Sequence, residues 1–197
     1  MKKTTLLSVL LLALVCISSA CGGMSWREPK EGTMEYKTIY GKFDRVILPQ
    51  DGGVWENWWG DDYYPHEVTT VTKSFPIASQ SSDNARVILN ISVSYRRLTD
   101  VQSAKSYAEQ FGISYKESTE LFDKKLEGLM NLYAGNLSSK YTAYQLNENK
   151  VQMQTELTNV LKEKFPEELF SQIESLQITG APAFENNDIE TAASKVV

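Results

Sequence analysis

Three features of the chain carry residue types that could do chemistry: a cysteine that follows a run of small residues, a dense aromatic stretch beside two aspartates, and one histidine. Cys21 follows Ser18, Ser19 and Ala20, and its thiol is the one group here suited to covalent acylation. From Val54 to Pro65 the chain reads VWENWWGDDYYP, which places Trp55, Trp58, Trp59, Tyr63 and Tyr64 within about ten positions. Rings with an apolar body and a polar edge suit a bilayer interface or a ligand that stacks on them. Asp61 and Asp62 add two carboxylates, but glycosidic acid/base work needs such a pair about 5 to 10 Å apart across the substrate, and adjacent residues normally point apart. His66 is the sole histidine. A His/Cys metal set therefore lacks members, and His66 is expected at the surface or on a strand edge. Gly52-Gly53 has neither the lysine nor the helix of a phosphate loop, and no nucleophile-elbow pattern surrounds a serine. These residues point to binding, with no catalytic residue, metal or cofactor expected.

A leader positions the cysteine. Met1 to Ala20 reads MKKTTLLSVLLLALVCISSA, two lysines followed by an apolar run from about Leu6 to Ile17 and then small residues. The run is shorter than the ~20 residues a membrane-spanning helix needs and suits a secretory h-region. Ser18-Ser19-Ala20-Cys21 followed by Gly22-Gly23 resembles the bacterial lipobox, with Ser18 where that motif usually has Leu. The resemblance implies cleavage before Cys21 and acylation of its thiol; ordinary signal cleavage near Ala20 is the alternative. Cys16 leaves with the leader, so Cys21 becomes the sole thiol of the mature chain, and acylation explains an unpaired cysteine in an exported protein. Two or three acyl chains, at about 0.8 kcal/mol per buried methylene, anchor far more firmly than one. Residues 1–20 are read as a removed signal peptide and residues 21–31 as a lipid-anchored tether. By resemblance to the usual sorting pattern, Gly22 implies the outer membrane in a Gram-negative host, or the outer leaflet of the cell membrane in a Gram-positive one.

The rest of the chain must supply the scaffold. With 197 residues and 42% hydrophobic content, one α+β domain over residues 32–180 is expected. Its mature form keeps 18 basic against 25 acidic residues, a net charge of about -7. That balance argues against electrostatic binding to nucleic acid, and the sequence shows no polybasic patch for anionic lipid. Asn84 to Arg97, NARVILNISVSYRR, is apolar at odd positions and polar at even ones except Ile88. Such alternation predicts a strand of roughly 35 Å with one buried face. Before it, Thr33–Tyr40, Lys42–Leu48, His66–Val71 and Lys73–Ile77 read as strands of an antiparallel β-meander. After it the period becomes helical. Asp100–Phe111 ends at Gly112, and a helix opened by a Ser114/Glu117 capping box carries Phe122, Leu126, Leu129, Met130, Tyr133 and Leu137 on one face. A further helix over about Asn147–Phe165, with Val151, Leu157, Val160, Leu161 and Phe165 inside, is expected to stop or be interrupted at Pro166. Ile173–Thr179 reads as a short strand closed by Gly180 and Pro182. Residues 181–197 read as a turn and the start of a helix capped at Asn187-Asp188.

This order of parts resembles the stomatin/prohibitin/flotillin domain, also called SPFH or band 7. The likeness is carried by the strand pair around Gly41-Lys42, the turn after Leu48, Val71–Ile77 leading to Asp83-Asn84, and above all Val87–Arg96, a strand that ends in Tyr-Arg. Thr142–Asn149 with the helix after it, and Ile173–Pro182, resemble the closing segment. The resemblance covers Glu31 to about Val197. It implies a domain that sits on a membrane, self-associates, and scaffolds or regulates other membrane proteins, membrane proteases among them. It carries no catalytic residues over. It also implies that the hairpin bearing Trp55, Trp58 and Trp59 lies near the bilayer. Two features depart from the family: a lipid replaces its transmembrane or hairpin anchor, and the chain ends where its long coiled coil would begin. The expectation is a lipid-anchored scaffold on the extracytoplasmic side, with membrane lipid, copies of itself and client membrane proteins as partners. The alternatives are a lipoprotein that binds a small ligand or sugar through the aromatic stretch, and a phage or accessory lipoprotein that blocks a membrane partner.

Overall fold

In the computed structural model, which describes residues 24–57 and 59–184, the chain is α+β with antiparallel sheets. In order, the described elements are β1 (Met24–Arg27), β2 (Thr33–Ile39), β3 (Lys42–Ile47), β4 (Val54–Asn57), β5 (Asp61–Glu67), β6 (Val71–Gln80), β7 (Arg86–Arg97), α1 (Val101–Phe111), α2 (Tyr115–Ser138), α3 (Ala143–Glu148), α4 (Lys150–Leu169) and β8 (Ser171–Phe184). The leader, Cys21, Trp58 and the expected helix from Asn187 lie outside the described residues. The chain divides after Pro65 into two compact units.

In the first unit, β2 and β3 form a hairpin whose two-residue turn, Tyr40-Gly41, has positive φ at both positions (50° and 75°). Turns of that kind match the right-handed twist of the strands they join. β5 flanks β2 on its other edge, giving the order β3-β2-β5, while β1 pairs with β4. The pairing is therefore not sequential: a strand from the segment expected to be tether, Met24–Arg27, is hydrogen-bonded to β4. The four residues MSWR give too short an alternation to announce a strand, and its partner lies some thirty positions away in the chain.

The second unit is built on β7. Its burial alternates along the strand, with Val87, Leu89, Ile91, Val93 and Tyr95 inside. β6 pairs along its whole length, from Val71 opposite Tyr95 to Gln80 opposite Arg86. β8 pairs on the other edge and is longer than expected, running through Gly180 and Pro182 to Phe184. The register slips between Asn90, opposite Thr179, and Ile88, opposite Ala183, so the extra residues bulge where Gly180 takes φ 70°. Pro182 is tolerated because β8 is an edge strand. The face of β7 away from the core carries hydroxyl pairs, Thr72 with Ser94 at 2.7 Å and Ser74 with Ser92 at 3.2 Å.

Helices close the apolar face. α1 is capped by Asp100, whose carboxylate accepts the Ser103 N–H at 2.8 Å, and Gly112 ends it at φ 87°. α2 buries Phe122, Leu126, Leu129, Met130 and Leu137. Its Ser114 stands at the N-cap without a side-chain hydrogen bond, so the capping box expected there is absent; one forms instead between Thr142 and Gln145 at the start of α3. α4 buries Met153, Leu157, Leu161, Phe165 and Leu169, a row of successive i+4 positions. Val151 and Val160, expected inside, are 77% and 41% exposed. At about 100° per residue, Val151 falls on the far side of the helix from Met153. The helix also passes through Pro166 for one more turn. Loss of the proline N–H and the ring clash cost about 3 kcal/mol in a helix interior. Burial of Leu169, 0% exposed, returns roughly 2 kcal/mol of that. Between sheet and helices lies an aromatic cluster: Tyr95 sits 5.2 Å from Phe122 and 6.3 Å from Phe165, and Tyr107 sits 4.8 Å from Phe111, centroid to centroid.

The two sides of α4 predict different outcomes. Leu161→Ala should lower unfolding stability by about 2 to 5 kcal/mol, and Val151→Ala by less than about 0.5 kcal/mol, in urea titrations followed by circular dichroism. Equal effects at both positions would contradict this orientation of the helix.

Candidate functional site

The aromatic stretch is not a loop. β4 and β5 take up most of it, and the strand geometry decides which rings face solvent. Trp55 lies opposite Trp26 in the β1–β4 pair, their rings in edge-to-face contact at 5.6 Å. Both remain open to solvent, at 53% and 58% exposure, and Trp59 in the following turn is 79% exposed. The Trp26 indole N–H donates to Glu28 Oε1 at 3.2 Å. Gly53 lies against the Trp26 ring, which would have to shift to admit a Cβ there. Tyr40, at the tip of the β2–β3 hairpin, is also exposed; its N–H donates to the Gly60 carbonyl at 2.7 Å. Tyr63 and Tyr64 are half-buried. The sequence reading missed Trp26 and Tyr40. Trp26 lay in the presumed tether, and Tyr40 read as a strand residue.

A buried charged layer holds this surface in place. β2 is buried over Thr33–Thr38, and its charged side chains are paired. Glu35 accepts from Arg27 through two bonds, Nε at 3.0 Å and Nη2 at 3.1 Å. Lys37 meets Asp61 at 2.7 Å with both side chains almost fully covered, at 7% and 5% exposure. The Tyr63 ring receives the Arg27 guanidinium at 4.6 Å and the Lys37 ammonium at 5.8 Å from its centroid, cations against the negative face of an aromatic ring. Asp61 also accepts the Asn57 N–H at 2.7 Å, Asn57 Oδ1 accepts from the Trp59 N–H at 3.2 Å, and the turn between β4 and β5 is thereby tied to the ion pair.

The electrostatics follow from these contacts. Burial alone would push the Asp61 carboxyl up, but the Lys37 ammonium and the Asn57 N–H outweigh it and hold the group below the usual carboxylate range. Burial alone would likewise lower Lys37, and the bond to Asp61 reverses the sign. The Glu35 bond raises Arg27 against its own desolvation, and burial pushes the Tyr63 hydroxyl up. Asp61 is thus committed to structure, while Asp62, next in the strand, is exposed on the opposite side. The two carboxylates do not converge on one substrate.

His66 corrects the sequence reading. It lies on β5, an edge strand, which is one of the two positions expected, but it is buried at 0% exposure and not at the surface. Its Nε2 lies 2.9 Å from the Ile113 carbonyl, which can only accept, so Nε2 carries the proton and Nδ1 accepts from Arg97 Nη1 at 2.6 Å. Both ring nitrogens are satisfied by groups distant in sequence, which no local pattern reveals. Burial, and then the Arg97 charge, push its pKa down to about 4.

Among the described residues, no group of three or more His, Cys, Asp or Glu side chains could hold a metal ion, and no helix is long and apolar enough to cross a membrane. The sequence matches no protein-family model and no curated protein.

Two outcomes test this site. Lys37→Met leaves the Asp61 carboxylate buried without its counter-charge and should cost about 3 to 5 kcal/mol in denaturant unfolding, whereas Arg45→Met, at an exposed cation, should change little. Because the folded pKa of His66 lies below its unfolded value near 6.5, the unfolded chain takes up the proton first. The His66 contribution is complete above pH 6.5 and declines by roughly 3 kcal/mol as pH falls toward 4. His66→Gln keeps a donor and an acceptor but cannot titrate, so its stability profile over that window should be flatter than the parent's; identical slopes would exclude His66 as the source.

Proposed function

We propose that this chain is an exported, lipid-anchored protein that works by binding at a membrane surface, as a scaffold of the band 7 type. The observation that carries the reading is the exposed Trp26–Trp55 pair and its place in the chain. Trp26 is five residues from Cys21. At about 3.5 Å per residue even a fully extended backbone separates the two by no more than ~18 Å. With Cys21 acylated, that distance keeps Trp26 within reach of the headgroup region of the leaflet that holds the anchor. Indoles prefer that region because the ring body leaves water while the N–H and ring edge stay wet. Trp26 and Trp55 share one cross-strand position on the short β1–β4 sheet, so they can enter the interface together.

Self-association and client membrane proteins belong to the same proposal. Their support is the order of parts: a long alternating strand ending in Tyr-Arg, helices over its apolar face, and a closing strand that returns to pair with it. The split carboxylates Asp61 and Asp62 favour binding over glycosidic turnover.

Cys21→Ser should move the protein from the membrane fraction to the soluble fraction. In the unacylated mature chain, replacing both Trp26 and Trp55 with Ala should weaken residual binding to phosphatidylcholine/phosphatidylglycerol vesicles by about tenfold or more. A membrane-bound Cys21→Ser protein, or a double variant that binds vesicles like the parent, would overturn the reading. A melting temperature that rises with a cell-wall glycan would favour the ligand-binding alternative.

A further inference from the structure

We propose that a cavity of about 130 Å³ in the second unit binds a small zwitterionic solute, an α-amino acid, between Arg97 and Glu67. Its lining includes Glu67, Lys73, Tyr95, Arg97, Thr119 and Phe122. At roughly 30 Å³ per water, the space equals about four waters, which is the scale of a small amino acid.

The charges around it are unevenly satisfied. Lys73 is engaged by Asp123. Arg97 stacks on Tyr107, its guanidinium carbon 4.3 Å from the ring centroid, and gives one hydrogen bond to His66, which is neutral and so does not offset its charge. Among the described residues no carboxylate pairs with Arg97, although a guanidinium has five N–H donors. The exposed Glu67 lines the same cavity and likewise has no ion pair among the described residues. These two opposite charges do not reach ion-pairing distance of each other. A cation that is partly desolvated without an acid is costly, and a ligand carboxylate would offset that cost.

The hydroxyl of Thr119 supplies an independent observation. Its Oγ1 is buried and has no hydrogen-bond partner. Buried hydroxyls are normally satisfied, so this is an unmade bond on a residue that lines the cavity, and a turn about its χ1 would bring the hydroxyl to a bound carboxylate. Tyr95 and Phe122 contribute ring surface against which an aliphatic side chain can pack. The arrangement takes a carboxylate at Arg97 and Thr119, an ammonium at Glu67 and an apolar group on the rings.

Isothermal titration of the full chain with L-alanine tests the site, with acetate and ethylammonium as the two half-ligands. Alanine should bind saturably at one site, and each half-ligand at least about tenfold more weakly. Thr119→Val keeps the shape and removes the hydroxyl, and Glu67→Gln removes an exposed charge. Each should weaken alanine by about tenfold without lowering the thermal midpoint of the unliganded protein. No saturable alanine binding would overturn the proposal, as would acetate binding as tightly as alanine, or both variants binding alanine like the parent.

Discussion

The second unit rests on a strand that is hydrogen-bonded along both edges and greasy on one face. β7 has no free edge: β6 and β8 occupy both sides, and its register with each is set over most of its length. A slip of one residue would turn Val87, Leu89, Ile91, Val93 and Tyr95 outward together, so the burial of five side chains enforces one pairing. The helices follow from that choice. α2 and α4 lay their apolar rows over the same face, and the aromatic rings of Tyr95, Phe122 and Phe165 interlock where sheet and helices meet. The exceptions to local preference, a proline inside α4 and Phe170 at φ 48° after it, sit where the chain must leave the helix and begin β8. Packing of Leu169 and the pairing of β8 on β7 hold them there.

The first unit solves a different problem. It is small, and one side of its central strand is charged, yet Glu35 and Lys37 are buried. A buried ion pair seldom adds net stability, because desolvation consumes most of the Coulomb gain. Its effect is directional. Two bonds from Arg27, one from Lys37 and the Tyr63 ring between the two cations fix the relative places of β1, β2 and β5. With the charges turned inward, the aromatic rings of Trp26, Trp55, Trp59 and Tyr40 are left facing water. A folded unit that hides ions and exposes indoles gains by removing those indoles from water against another surface.

How much of this could be read from the residues depends on the range of the interaction. β7 was legible because period 2 persists for twelve residues, and the core face of α2 because its apolar residues repeat at helical spacing. The α4 row was only partly legible. Val151 and Val160 are as apolar as Leu157, and the residues that decide the rotation are Met153 and Leu169, at the two ends. Pairs distant in sequence were not legible at all. The Lys37–Asp61 bridge, the burial of His66 between Ile113 and Arg97, and the Trp26–Trp55 contact each join residues with no local signature. The aromatic stretch was visible as composition, but only the strand pairing shows that Trp26 completes it.

The functional account depends on where the indoles of the first unit go when the chain is held at a bilayer. On the proposed acylation of Cys21, the short lead to Trp26 and its contact with Trp55 would put the pair at headgroup depth. Fluorescence quenching of the acylated protein in vesicles of lipids brominated at successive acyl positions measures that depth directly. The account predicts strong quenching by the shallowest bromines, reduced when Trp26 and Trp55 are replaced by phenylalanine. Emission from the bound protein that no brominated lipid quenches would contradict it.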